Sequence, residues 1–287
     1  MTTTSEQPGM DSPELARKMW RTLEPYHGIV YFTPHAEAAY AALGIHGRDG
    51  YFASRAAPLG AVKAELVIST FYNFHPALIR HAIPAVWAKA TPEAILAARL
   101  DAADLALREL VGEAVESEEM GEAAAIAERA ARAAPIEGRP LFAGHAALEW
   151  PERPHLVLWH AIALLREFRG DGHIAALVVA GLDPVEALIT HGASADSPFD
   201  VSVLRRSRAW PDDEWEAGRA RLRDRGLLEG DRLSEKGEAL RSKVEQETDA
   251  AAAVPWRSVP IEDADRLRAL VRPWSRAIVE SGSFGLR

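Results

Sequence analysis

Cysteine is absent from the 287 residues, which excludes disulfides, thiol catalysis, iron–sulfur clusters and cysteine-ligated zinc. That zero leaves the redox compartment unread. Long apolar runs are missing too: the longest, IAALVVAGL at 174–182, is far short of the roughly 18–20 residues a spanning helix needs. The opening stretch MTTTSEQPGMDSPELARK has neither an apolar core nor a small-residue cleavage site, so no secretory signal is read and a cytoplasmic, membrane-free protein is expected. Positive charge is in deficit, with 33 Lys and Arg against 42 Asp and Glu. That balance weighs against nucleic acid as an obligate partner, although a local basic face survives a negative total. Strand-like alternation is almost missing and no repeat is visible, whereas an apolar fraction of 48% suits one or two globular domains.

What is present is repeated helix punctuation. Ser12-Pro13, Thr33-Pro34, Thr91-Pro92 and Asp183-Pro184 each set a capping side chain before a proline. Proline at the first helical position lacks only an N–H that would have been unpaired there. Gly44, Gly112 and Gly226 follow helical runs as C-terminal caps, and Leu96, Leu100, Leu107 and Val111 keep helical spacing. A mostly α protein is expected. Residues 113–140 lose their aromatics and end in a Pro/Gly-bearing stretch. The chain is therefore divided into a disordered tail (1–11), a helical, aromatic-rich ligand domain (12–112), a connecting helix and linker (113–153), a winged-helix-like domain (154–256), and a C-terminal helix and tail (257–287).

From 184 onward the order is VEALITHG, a loop, WPDDEWEAGRARLRDRGLL, a two-residue tip Gly230-Asp231, and RLSEKGEALRSKVEQETD. A helix ending in RGLL, a tight β-turn and then Leu-Ser-x-x-Gly-x-x-Leu resembles the winged-helix domain of the MarR-type regulators. The resemblance implies a short β-wing, with Ser234 as N-cap and Leu233 as the last wing residue, and implies DNA as a partner of a homodimer. Fold is not function, however. The start of a recognition helix meets base edges, and here it carries Asp212, Asp213 and Glu214, with Arg219, Arg221, Arg223 and Arg225 in the far half. The acids are equally good first-turn residues for the helix dipole. The expectation is a winged helix used for packing or ligand binding, with operator DNA as the alternative.

Over nearly its whole length the chain is also similar to a family of actinobacterial helix-turn-helix proteins of about this size. EPYHGIVYF (24–32), GYFASRAAPLG (50–60), TFYNF (70–74) and LWHAIALLREFRGDGHIAAL (158–177) carry that likeness. It points to architecture and assigns no chemistry. Where relatives read REHRGDGH, this chain has Phe168 at the third place, which weakens a metal or haem site leaning on that position.

All five tyrosines (Tyr26, Tyr31, Tyr40, Tyr51, Tyr72) fall within 47 residues, interleaved with Phe32, Phe52, Phe71, Phe74, His27, Arg55 and Asn73. Aromatic walls with a few convergent polar groups make an organic-ligand pocket, and an aromatic core with internally satisfied hydroxyls accounts for them equally. FASRAAPLG reads as a loop between helices that holds Arg55 for a carboxylate or phosphate, or in a structural salt bridge. Asn73 reads as a helix end before Pro76 or a ligand contact.

A second cluster runs from Arg166 to His173. Gly170-x-Gly172-x-x-Ala175 has dinucleotide-motif spacing, but a helical segment precedes it where a strand is required. A helix, a sharp glycine turn and a second helix are expected, with Asp171 near the new N-terminus and His173 in its first turn. Arg166, Arg169 and His173 then form an anion-accepting or proton-transferring group, or a salt-bridged turn. The ten histidines show no HxxxH, HxH or HExxH spacing, so no metal site and no cofactor are expected. Haem on a lone axial His27 or His160 stays open, because such a ligand needs no motif. Trp159, Trp210, Trp215 and Trp256 are assigned to the core around the winged helix.

The sequence thus supports a small-molecule-binding protein for an aromatic or carboxylated metabolite, with Tyr26, Tyr31, Tyr51, Arg55, Tyr72, Asn73, Arg166, Arg169 and Asp171 as ligand contacts. If it is an enzyme, it is free of metal and nucleotide, with His27 or His173 as acid/base. A ligand-responsive regulator binding DNA as a dimer is the alternative, and a partner-binding adaptor a third.

Overall fold

The computed structural model describes residues 12–194 and 201–284. The tail read at 1–11, residues 195–200 of the expected loop, and residues 285–287 lie outside the described residues. Fourteen α-helices are described: α1 (Pro13–Gly28), α2 (Pro34–Ala42), α3 (Arg48–Ala56), α4 (Ala64–Phe71), α5 (Pro76–Ala82), α6 (Pro92–Val111), α7 (Glu118–Arg132), α8 (Pro140–Ala146), α9 (Pro154–Val179), α10 (Pro184–Ala193), α11 (Val201–Arg208), α12 (Asp212–Asp224), α13 (Glu235–Ala252) and α14 (Ile261–Glu280). The described sheet is one antiparallel pair, β1 (Leu228–Glu229) and β2 (Arg232–Leu233), with Leu228 opposite Leu233. The protein is mostly α, and no single described helix is long and apolar enough to cross a membrane.

Local chemistry sets the helix ends. Ser12, Thr33, Thr91 and Asp183 each accept a main-chain N–H one turn in, directly ahead of a proline. Asp183 forms a full capping box with Glu186, which satisfies two donors that a bare helix start leaves unpaired. At the expected stops, Gly44, Gly112 and Gly226 have φ of 74°, 66° and 67°, a region that costs other residues energy. Ser234 caps α13 by accepting from Gly237 N at 3.1 Å.

Three apolar cores form. The central one joins Met19 and Leu23 of α1, Leu107 of α6, Ile126 of α7, Ile162 and Phe168 of α9, and Leu267 and Val271 of α14. A second gathers Tyr40, Phe52, Val67, Ile79 and Ile95 from α2 to α6. The third sits under α10, α12, the hairpin and α13, around Val185, Ile189, Trp215 and Leu222. The segment expected to connect domains supplies α7, whose Ala123, Ala127 and Ala130 lie fully buried in the central core. Its small side chains let the helix approach α9 closely, which is why a stretch poor in aromatics reads as a linker. Trp159 and Trp256 belong to this central core, while Trp215 and Trp210 pack at the third.

Three expectations about local structure are corrected. The RGDGH turn does not exist: α9 runs unbroken through Gly170, Asp171 and Gly172 for 26 residues, about 39 Å at 1.5 Å per residue. Gly172 serves close approach. A Cβ on Gly172 would run into the Arg139 guanidinium and lie 3.3 Å from Ala251 Cβ. Arg139 itself stacks on Phe168 and donates to the Phe168 and Ala251 carbonyls. Likewise FASRAAPLG is not a loop, since Arg55 lies in the last turn of α3 with a short 3-10 turn, Ala57–Leu59, behind it. Tyr72, not Asn73, ends α4, in a left-handed conformation with φ 52°.

Candidate functional site

α9 is the spine of the site. Its middle turns, together with α3, residues 70–74, α10, α11 and α13, enclose a cavity of about 320 Å³. That is the lower end of the size range of small-molecule sites. One wall is aromatic, with Tyr51, Phe71, Tyr72 and Phe74. The opposite wall is charged.

Glu167 organises the charge. Its side chain is fully buried and takes a two-pronged grip from Arg55, with Nε to Oε1 at 3.3 Å and Nη2 to Oε2 at 3.0 Å. Arg166 Nη1 adds a third bond at 2.7 Å and reaches Glu24 at 3.4 Å through Nε. Burial would raise the Glu167 carboxyl, but Arg166 and Arg55 outweigh it and hold it well below the usual range. At Glu24 burial wins over Arg166, so its carboxyl is raised. Further along, Arg169 pairs with Asp249 at 2.7 Å and Arg241 with Glu245. His173 Nδ1 lies 2.9 Å from Thr248 Oγ1, which donates its own proton to Val244 O. Nδ1 therefore carries the hydrogen of this bond, and burial, with Arg241 behind it, pushes the ring down to about 4, leaving it neutral. Asp171 accepts from Phe142 N at 2.9 Å and is raised to about 6, mainly by burial.

Arg208 stands apart. It ends α11, stacks on Phe74 at 4.5 Å and donates to Ser207 Oγ. Among the described residues no carboxylate lies within salt-bridge distance of it, and its Nε has no partner. Burial lowers its pKa, and the charges of Arg55, Arg48 and Arg166 act in the same direction. The cavity is lined by five guanidiniums, Arg55, Arg166, Arg169, Arg208 and Arg241, against four carboxyls, two of which are raised by burial. An unpaired, partly desolvated guanidinium beside aromatic rings is suited to a carboxylate.

The structure places Tyr51, Arg55, Tyr72, Asn73, Arg166, Arg169, Asp171 and His173 on the cavity wall. Tyr26, His27 and Tyr31 lie elsewhere. Tyr26 is fully buried in the central core and donates to His155 O at 3.2 Å. His27 stacks on Trp159 at 5.6 Å and meets Tyr31 Oη at 3.2 Å. Burial first, then Arg166 and Arg99, hold its ring well below the ordinary range. Tyr31 sits behind Tyr51, edge-on at 5.2 Å. The tyrosine cluster therefore has two causes, core and cavity. Arg166, Arg169 and His173 share one wall but turn to different partners, so they do not converge on one point.

Glu167, Arg208, Arg241 and Glu245 were not among the expected residues. Arg241 and Glu245 carry a readable signal, an i,i+4 pair of opposite charge. Glu167 reads as one more charge in a charged run, and Arg208 has no local signal at all.

The α12–hairpin surface is acidic. Asp212, Asp213, Glu214, Glu216 and Asp224 are exposed on α12, and Glu229 and Asp231 on the hairpin. The arginines of that helix are mostly engaged within the chain. Arg219 pairs with Asp231, Arg221 with Asp183 and Glu186, and Arg225 with Glu186. No curated protein and no solved structure matches the chain. The model of a helix-turn-helix family matches residues 16–285, and with nearly its whole length covered, the chain belongs to that helix-turn-helix family.

Proposed function

We propose that the protein binds an anionic, aromatic small molecule in the cavity between its N-terminal helices and the α10–α13 segment. The observation that carries this reading is Arg208, a half-buried guanidinium with no carboxylate partner among the described residues, set on an aromatic wall. Leaving such a charge without an anion is costly. An aryl carboxylate would supply the missing charge to Arg208 and its ring to Phe71, Tyr72 and Phe74. In this reading α10, α11, α12, the hairpin and α13 form a MarR-like winged helix whose inner side closes the cavity. The order of three helices, a two-strand hairpin and a helix supports it.

The test is calorimetric titration with benzoate, phenylpyruvate and, as the neutral counterpart, benzyl alcohol. Arg208→Met should weaken benzoate at least tenfold, about 1.4 kcal/mol, with little change in thermal stability because no ion pair is lost. Benzoate binding that is absent, or indifferent to Arg208→Met, contradicts the proposal.

Family membership supports a second reading, a ligand-responsive regulator that binds operator DNA as a homodimer. The acidic α12 and hairpin surface weighs against it, because phosphate contacts dominate DNA affinity. Fluorescence anisotropy with fragments of the host genome at 50 mM salt separates the two. Tight, salt-sensitive binding favours the regulator, and its absence favours the pocket reading alone.

A further inference from the structure

Among the described residues, the hydroxyl of Tyr51 is the one polar group of the aromatic wall whose hydrogen-bond partner is a donor. Arg55 Nη1 gives it a hydrogen bond at 3.2 Å, using the arm of the guanidinium that Glu167 leaves free. By contrast, Tyr26 and Tyr72 donate their protons to main-chain carbonyls, of His155 and Leu182. The Tyr51 proton therefore has its natural acceptor in the cavity's contents. The ring is fixed: Phe52 meets it edge-on at 5.4 Å, with Phe71, Phe74 and Tyr31 around it. A locked phenolic oxygen beside a fixed cation is the arrangement that proton transfer at carbon needs. The oxygen takes the proton, and the neighbouring guanidinium steadies the electron pair left behind.

We propose that Tyr51 is the catalytic acid–base of this cavity, exchanging a proton with the carbon next to the keto group of an aromatic 2-oxo acid. The inference rests on the anion-binding reading, with the substrate carboxylate on Arg208. In the forward step Tyr51 acts as tyrosinate, its own proton already released to solvent: the substrate C–H bond breaks, its electron pair becomes an enolate, and the proton forms the Tyr51 O–H bond. Return of the proton to the enolate oxygen completes a tautomerisation, and return to carbon completes a hydrogen exchange, neither needing an oxidant or reductant. The electrostatics agree. Burial alone would raise Tyr51, but Arg55, Arg166 and Arg208 together bring it below the ordinary tyrosine value, whereas burial raises Tyr26, Tyr31, Tyr40 and Tyr72.

Two readouts on wild type and Tyr51→Phe test it, since the variant keeps the ring and its packing. In a pH titration followed at 295 nm, one tyrosine should ionise ahead of the other four and be missing from Tyr51→Phe. In D2O, the wild type should speed hydrogen–deuterium exchange at the methylene of phenylpyruvate, seen by proton NMR, at least tenfold over Tyr51→Phe, which still binds the compound. An early tyrosinate that persists in the variant, or bound phenylpyruvate that exchanges at the buffer rate, overturns the proposal and leaves anion binding standing. If neither benzoate nor phenylpyruvate binds the wild type, the anion reading falls and this one with it.

Discussion

Replacing Glu167 with Gln removes one charge and almost no volume from the buried ion cluster on the cavity wall. Three guanidinium nitrogens bond its carboxylate, at 2.7, 3.0 and 3.3 Å, and its side chain is fully buried. Breaking one side of a buried ion pair costs roughly 3–5 kcal/mol because the stranded charge stays out of water. Here two charges are stranded, though Arg166 keeps Glu24 and Arg55 keeps Tyr51 and the face of Phe71. The amide oxygen of Gln can still accept one bond, so the lower end, about 3 kcal/mol, is the expected loss. At about 2–4 °C per kcal/mol for a chain of this size class, Tm should fall by roughly 6–12 °C in a calorimetric scan at neutral pH. The sign with pH is fixed. A carboxyl held below its unfolded value stabilises fully above that value, near 4.5, and loses the contribution as pH falls through the folded one. The wild-type advantage should therefore shrink in acid. A Gln variant within about 2 °C of wild type at neutral pH would refute the claim that Glu167 organises the cavity's charge.

Gly237→Ala probes the junction of hairpin and α13. An added Cβ would overlap the Leu227 carbonyl oxygen and lie 3.1 Å from its carbon, and a backbone atom cannot swing aside as a side chain can. A loss of about 1–3 kcal/mol is expected by urea unfolding, and a neutral or stabilising Ala, as helix propensity alone would give, counts against the packing described. Asp171→Asn tests the raised carboxyl. With a folded value of about 6 against 3.8, the carboxyl's favourable contribution is present below the unfolded value and lost as pH rises through the folded one. Asn can still accept from Phe142 N, so its Tm advantage over wild type should grow between pH 5 and pH 7.5, and an unchanged gap contradicts the assignment.

The helix starts were legible because they are local. Ser12, Thr33, Thr91 and Asp183 accept from N–H groups within three residues, so a capping side chain before a proline contains the whole cause. The hairpin tip Gly230-Asp231 and the Ser234 cap are local in the same way. The RGDGH segment misled because glycine answers two needs, a turn or a close neighbour. The neighbours of Gly172, Arg139 and Ala251, are distant in sequence. Arg55 illustrates the same limit, since its partner Glu167 lies 112 residues away. The candidate list found much of the cavity wall because aromatic and charged residues are conspicuous, but it could not tell Tyr26 in a core from Tyr51 at a cavity. That distinction depends on which helices meet. Arg208 was invisible for a plainer reason: its significance is that no carboxylate of the described residues lies within ion-pair reach, and a sequence does not show what a residue lacks in space.

The central claim is that Arg208 and the Tyr51 wall hold an aryl carboxylate. The most direct measurement is a crystal structure with 4-bromobenzoate, located by the anomalous signal of its bromine. The account predicts a single strong peak inside the cavity, between Phe71, Phe74 and α9, with the carboxylate on the Arg208 guanidinium, and loss of that peak in Arg208→Met. Bromine found only on the outer surface, or in the cavity with its carboxylate turned away from Arg208, would contradict it.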